Sequence, residues 1–383
     1  MQAQIYYDQR GQALELGRKL GAGAEGAVYR VVGATKGCVK VLAPSRRTTV
    51  HHRKIRAMVD ARPGSAIMQA STWPMAAIYE DSDCTLFAGF VMARLDMRLY
   101  DELHEVWGGT SAPPLAQRLV IALNLAAVVA EVHSASHRIG DLRERNILVN
   151  RSCEVVLVDC DSFEIWTHSG EVFYSGMGIG DYLPPELLHW LDGGHSLETV
   201  ERYWSDLYAL AVLIFQLLMD GVRPYSATGP GITPELATYP PKVTSCTYPY
   251  VDTGGRFAPP TYAPDIALIP PPVQQLFACA FVTGHSHPEL RPTAAQWRDC
   301  LAEVVGQLRL CSQNPVHRYP AHLSACPLCA ESPSGPSSAI QSFPPEPTQP
   351  SSGTTEHSDR VLAVIFAAMA AIAAIIYACS TML

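Results

Sequence analysis

Positive charge is scarce in this chain. Among its 383 residues, 28 Lys and Arg stand against 36 Asp and Glu, a formal net charge of −8. That balance gives no indication of a broad basic face of the kind nucleic acid requires. The opening, MQAQIYYDQRGQ, lacks a basic stretch followed by an apolar run, so no signal peptide is expected. No internal repeat is found, which sets repeat architectures aside. Cysteine is not scarce, with 11 residues, and most lie in apolar runs (Cys38, Cys84, Cys160, Cys279). Such placement suits buried thiols in a reducing compartment.

The length is enough for one large or two ordinary domains. Residues 14–310 read as globular. Short strand-like runs come first (AVYRVVG, GCVKVLA, LFAGFVMARL), and longer helical runs follow (LAQRLVIALNLAAVVAEVHS, SDLYALAVLIFQLLMD). A small strand-rich lobe (about 14–93) ahead of a larger helical one (about 94–310) is the coarse expectation. The Pro-rich stretch 222–272 is expected to form loops. Residues 331–360 carry the Pro/Ser/Gly/Thr bias of a disordered linker, with a span of about 30 Å. Beyond it lies VLAVIFAAMAAIAAIIYAC, 361–379, 19 residues without a charge. As a helix rising about 1.5 Å per residue it matches the hydrocarbon core of a bilayer. A buried core helix or a partner-binding helix is the alternative, but the run has no polar face. The expectation is a single C-terminal membrane span with the globular part in the cytoplasm.

The chemistry concentrates in GDLRERNILVNRSCEVVLVDCD, 140–161. Phosphoryl transfer from a nucleotide needs oxygen ligands for Mg²⁺ and a carboxylate that orients the acceptor hydroxyl. Asp141 and Asn146, five apart on one loop, can aim one side chain at the acceptor and one at the metal. The strand EVVLV then returns the chain and delivers Asp159 as a second metal ligand. Upstream, LGAGAEGAVYRV places Gly21, Gly23 and Gly26 in GxGxxG spacing, followed by Val28. Glycines let backbone amides approach phosphates. Strand-like residues follow rather than a helix, which favours a hairpin over a dinucleotide-binding turn. Lys40 sits in the apolar strand GCVKVL.

These residues resemble the eukaryotic-like protein kinase family. The resemblance implies that Asp141 is the catalytic-loop Asp, Asn146 the metal-binding Asn and Asp159 the Asp of the D-F-G motif. It implies that Arg143 helps neutralise the transferred phosphoryl group, that Lys40 holds the α- and β-phosphates of ATP, and that Val28, Val39 and Leu148 enclose adenine. GDYLPPELL resembles the A-P-E segment with Glu186, RYWSDLYALAVLIFQLL the core helix with Asp206, and HPELRPTAAQW supplies Arg291, the usual buried partner of that Glu. The wording GDLRERNILV…LVDCDSF is similar to the bacterial YegI-like branch. That implies Ser/Thr phosphorylation, with a metal-dependent phosphatase and a von Willebrand A-type protein as partners. The fold class expected is α+β: a bilobal protein-kinase-like fold with a C-terminal zinc-knuckle-like segment, a disordered linker and a single transmembrane helix.

Four departures qualify the match. Ile139-Gly140 stands where His-Arg is common, which removes the Arg that reads an activation-loop phosphate. The third motif residue is Asp161, a further metal ligand or, more simply, a cap of the next turn. The segment RRTTVHHRKIRAMVD has no Glu to pair with Lys40, and Asp60 is the nearest carboxylate at plausible spacing. Its basic residues (Arg46, Arg47, His51, His52, Arg53, Lys54, Arg56) read as a solvated face or as a contact for an acidic partner or membrane surface. Lastly, the GDL…N…DxD pattern is shared with small-molecule phosphotransferases of the aminoglycoside and choline kinase type. A pseudokinase acting as a nucleotide-binding scaffold is the alternative of a different class.

A second constellation lies in LCSQNPVHRYPAHLSACPLC, 310–329. Cys326 and Cys329 in C-x2-C spacing, with Cys311 and His317 upstream, can hold Zn²⁺ tetrahedrally. His322 is an alternative fourth ligand, and a redox pair is the rival reading. The knuckle would occupy 311–330.

Overall fold

A computed structural model of the chain describes residues 4–108, 112–176, 178 and 180–330. The linker expected at 331–360 and the apolar run at 361–379 lie outside the described residues. The small lobe is built from β1 (Gln4–Asp8), β2 (Ala13–Gly23), β3 (Gly26–Val31), β4 (Gly37–Leu42), helices α1 (Thr49–Asp60) and α2 (Ser65–Gln69), then β5 (Ala76–Tyr79) and β6 (Phe87–Ala93). The strands form a closed barrel in the order β1-β2-β3-β4-β6-β5. Closure comes from β1, which pairs Tyr7 with Tyr79 of β5. This strand precedes residue 14, where sequence reading began the globular part: five residues of mixed polarity give no strand signal by themselves. Side chains alternate across each strand. Val39 and Val41 of β4 therefore join Tyr6, Leu16, Val31, Ile78 and Ala88 in an apolar cluster, while Cys38, Lys40 and Leu42 take the opposite face.

The large lobe contains β7 (Tyr100–Glu102), α3 (Leu115–Ser134), β8 (Ile147–Asn150), β9 (Val155–Leu157), β10 (Ile165–Trp166), β11 (Val172–Phe173), α4 (Pro185–Asp192), α5 (Tyr203–Leu218), α6 (Tyr239–Thr244), α7 (Pro271–Ala278), α8 (Gly284–Ser286) and α9 (Ala294–Gly306). In α5 every residue from Ser205 to Leu218 is buried, as an all-round apolar helix demands. Among the described residues α3 is the one helix long and apolar enough to cross a membrane, but it packs on α5 and α9 within the lobe. The Pro-rich stretch is mostly irregular as expected, apart from α6, whose prolines stand in the first turn where a missing N–H costs nothing. The chain then runs through β12 (Arg309–Leu310), β13 (Arg318–Tyr319) and α10 (Pro327–Ala330).

All ten described cysteines are free thiols. Cys38 and Cys160 are buried as expected, but Cys84 is half-buried and Cys279 exposed. Cys84 sits in a turn with φ of 58° and packs in part against the core, and Cys279 caps the C-terminal end of the amphipathic α7.

One ion pair joins the halves of the large lobe. Arg291 donates from Nη1 and Nη2 to the two carboxylate oxygens of Glu186, each at 2.7 Å, and also to the carbonyls of Trp204 (2.9 Å) and Gly284 (2.9 Å). The Arg291 side chain is wholly buried, while that of Glu186 is 35% exposed. Removing the carboxylate strands a buried cation. We expect Glu186→Ala to cost roughly 2–3 kcal/mol in equilibrium urea unfolding, below the range for fully buried pairs because water reaches the Glu186 side. An unchanged midpoint and slope would remove this pair from the stability of the lobe.

Candidate active site

Two carboxylates converge on one ammonium. Lys40 Nζ donates to Asp159 Oδ1 at 2.5 Å and to Asp161 Oδ1 at 2.7 Å. Glu25, in the turn between β2 and β3, brings Oε2 to 3.8 Å. Burial works against the Lys40 charge, but Asp161 and Asp159 outweigh it and hold its pKa above the ordinary lysine value. Burial would likewise raise the Asp161 carboxyl, yet Lys40 and His51 hold it well below the usual carboxylate range. Asp161 is 1% exposed, and its Oδ2 lies 3.6 Å from His51 Nε2 of α1. Asp161 therefore caps nothing: it is the buried counter-charge of Lys40. The Glu that α1 lacks is replaced from the strand-end motif rather than from a helix, and Asp60, at the far end of α1, does not pair with Lys40.

The basic run is mostly consumed inside the molecule. Arg46 pairs with Glu25 (3.1 Å), Arg47 with Glu80 and Arg53 with Glu171. His52 stacks on Phe87 with ring centroids 4.6 Å apart. Lys54 is buried in α1, and burial pulls its ammonium down to about 8 against the pull of Asp161. Acidic side chains distant in sequence meet part of this run, while Arg53 and Arg56 stay exposed.

The loop carrying Asp141 and Asn146 is held by its backbone. Asp206 of α5 accepts from the N–H of Ile139 (2.7 Å) and of Gly140 (2.8 Å). Gly140 has φ of +74°, and a Cβ there would come within 2.4 Å of Ser175. Arg202, fully buried, donates to the Gly140 carbonyl at 3.0 Å, so a guanidinium reaches this loop from the start of α5 although the H-R pair is missing. Asp141 is 4% exposed. Its Oδ2 accepts from Asn146 Nδ2 at 3.0 Å and lies 3.1 Å from Arg143 Nε. Burial raises the Asp141 carboxyl, opposed first by Arg143 and then by Asn146. The amide nitrogen of Asn146 is thus committed to Asp141, which leaves its side-chain carbonyl oxygen as the atom suited to a metal.

Val28 stands directly across from Lys40 in the β3–β4 register and shares its face. Val39 does not: it is fully buried among the apolar side chains of the barrel strands. The neighbour that shares the lysine's face is Cys38, whose Sγ lies 3.5 Å from the Ala93 carbonyl at the end of β6. Period-two alternation alone could have found it. Gly21 and Gly23 flank open space, whereas Gly26, with φ of +155°, would bring a Cβ to 2.3 Å from the Val41 carbonyl. Leu148 is buried in β8, paired with Glu102 and Val156. Far along the chain, Cys311, His317, Cys326 and Cys329 bring one ligand atom each within 4.8 Å of the others. His322 instead meets the Ala267 carbonyl through Nε2, at 3.0 Å.

Glu164, three residues beyond Asp161, is fully buried. It accepts from Trp166 Nε1 at 2.6 Å. Burial pushes its carboxyl up to about 7 from an ordinary 4.5, against that hydrogen bond. A raised folded-state value means the ionised form burdens the fold: the burden is absent below about 4.5 and grows as pH climbs to about 7. Glu164→Gln should therefore unfold like the parent at the acid end of that window and resist denaturant better at its alkaline end. Parallel stability profiles for the two proteins would contradict this.

No protein-family model matches the chain. It is 30% identical over 332 residues, 85% of its length, to a protein named protein kinase YegI from Escherichia coli K12, and 29% identical over the same extent to its namesake in Escherichia coli O157:H7. The chain spans about half the length of these curated relatives, 50% in each case. Across the part they share, a chain with this lysine, this loop and this strand-end motif is similar to protein kinases of the YegI-like branch.

Proposed function

We propose that the chain is a protein kinase that moves the γ-phosphoryl group of ATP to a Ser or Thr hydroxyl with Mg²⁺. The observation that carries this reading is the Lys40–Asp159 contact at 2.5 Å beside an Asp141 carboxylate held by Asn146. The relatives named protein kinase YegI support the same class. The donors suit Mg²⁺, since Asn146 and Asp159 offer oxygen and no sulfur or nitrogen. Bound with the nucleotide, the ion supplies neutralisation of charge on the phosphate oxygens. The chain's own residues orient and move protons. Asp141, raised by burial, orients the acceptor hydroxyl and takes its proton. Arg143 places positive charge beside that carboxylate, where the transferred group accumulates negative charge. Lys40 meets the phosphates, and Asp161 keeps its ammonium charged and aimed. The missing α1 Glu is the observation that favours a silent scaffold, and Asp161 answers it.

Radiolabel transfer and Mg²⁺-dependent ATP thermal shifts, measured together, test the reading. Asp141→Asn should keep the thermal shift and lose roughly 10²–10⁴-fold in transfer. Asp161→Asn should weaken both, and adding His51→Glu should restore part of each by returning a carboxylate to the lysine from α1. Full transfer by Asp141→Asn would reject the mechanism. A parent protein that binds ATP without transfer would be a pseudokinase, and one that labels only an aminoglycoside would be a small-molecule kinase.

We further propose that the uncharged run 361–379 anchors the kinase to a membrane. The full chain should stay with membranes through an alkaline carbonate wash, and the double variant Met369→Lys, Ile372→Lys should be released. Release of both proteins alike would dismiss the anchor.

A further inference from the structure

The Cys311, His317, Cys326 and Cys329 cluster has the dimensions of a coordination shell. Zinc bonded tetrahedrally to sulfur at about 2.3 Å and to imidazole nitrogen at about 2.0–2.1 Å requires S···S edges of about 3.8 Å and S···N edges of about 3.6 Å. Here Cys311 Sγ and Cys329 Sγ lie 3.5 Å apart, and His317 Nδ1 lies 3.7 Å from Cys326 Sγ and 3.5 Å from Cys329 Sγ. A disulfide would need its sulfurs at about 2.0 Å, so the closest pair is not one.

The surroundings fit the same purpose. Cys311 follows β12 and His317 precedes β13; the Cys311 N–H donates to the His317 carbonyl at 3.0 Å, closing the loop between them. The Gln313 N–H donates to Cys311 Sγ at 3.4 Å, a contact that stabilises a thiolate. The Asn314 side-chain amide lies 3.1 Å from His317 Nε2, the ring nitrogen turned away from the sulfurs, as a group that orients a ligating imidazole does. Cys326 and Cys329 belong to one turn, with the Cys329 N–H 3.3 Å from the Cys326 carbonyl.

Burial explains why a metal is required. Between 311 and 330 the buried residues are Cys311, Pro320 and Cys326. No apolar core of the segment's own orders it, and two of its three buried residues are the sulfurs themselves. Its fastening to the large lobe includes His322 on the Ala267 carbonyl, at 3.0 Å.

We propose that Cys311, His317, Cys326 and Cys329 bind one Zn²⁺ that folds residues 311–330 against the end of the kinase domain. All four positions are filled by protein, so the ion is structural, with no position left for water or substrate. On binding, each thiol forms a bond from sulfur to zinc and yields its proton to solvent, while His317 ligates through neutral Nδ1. The site borrows nothing from the kinase reading.

The full chain, purified in detergent under reducing conditions after growth with zinc, should carry one equivalent of zinc by elemental analysis. Exchange with Co²⁺ should give the intense d–d and thiolate charge-transfer bands of a tetrahedral sulfur-rich site. Cys326→Ser and Cys329→Ser should each lose most of the metal, and His322→Ala should keep it. Should the serine variants not fold, chelation of the parent protein serves instead: zinc should leave while the unfolding transition moves to lower temperature, and returning zinc should restore it. Absence of stoichiometric metal, a cobalt spectrum without sulfur charge transfer, or a chelated protein with unchanged unfolding would each overturn the site. Loss of zinc from His322→Ala but not from His317→Ala would overturn the ligand set.

Discussion

A lysine ammonium shared by two aspartates governs how this molecule is put together around its cleft. Lys40 is fixed in β4, and both its partners arrive within three residues at the end of β9. The small and large lobes are thereby tied at a buried charged point, with Arg53 and Glu171 forming a second, more exposed link, and the cost of burying Asp161 is offset by Lys40 on one side and His51 on the other. Charges this deep persist only when paired. The inner side of α1 can then carry His51 and Lys54 where an acidic residue would otherwise be needed.

Around that point the scaffold works by holding backbone rather than side chains. Asp206 clamps the consecutive amides of Ile139 and Gly140, Arg202 takes the Gly140 carbonyl, and Arg291 ties Glu186 to the loop before α9 and the start of α5. Each is a charged group spent on main-chain atoms or on one distant partner, so loop geometry is set by the chain's own charges. Pre-set geometry of this kind is what phosphoryl transfer asks of a protein, since positioning and electrostatics supply nearly all of the catalysis.

Much of this was legible in the sequence, for a physical reason. Asp141, Asn146 and Asp159 are recognisable because the loop and strand carrying them are short and local, and Glu186 with Arg291 because both stand in distinctive motifs. What escaped was decided by tertiary pairing. Asp161 looked like a turn cap until a lysine 121 positions away was seen to face it. The basic run looked solvated because Glu25, Glu80 and Glu171, which meet Arg46, Arg47 and Arg53, are scattered along the chain. Val39 was placed over adenine where alternation assigns Cys38, an error of face rather than of strand. The first strand was missed because only its pairing with β5 gives it a role.

That first strand also settles how the small lobe can meet other proteins. A sheet that ends leaves a row of unspent N–H and C=O groups, and extended peptides commonly zip onto such a row. By joining β2 at four positions and β5 at Tyr7 and Asp8, the segment Gln4–Asp8 covers part of both margins at once. Among the described strands, a peptide seeking main-chain pairs on this lobe meets a shortened margin.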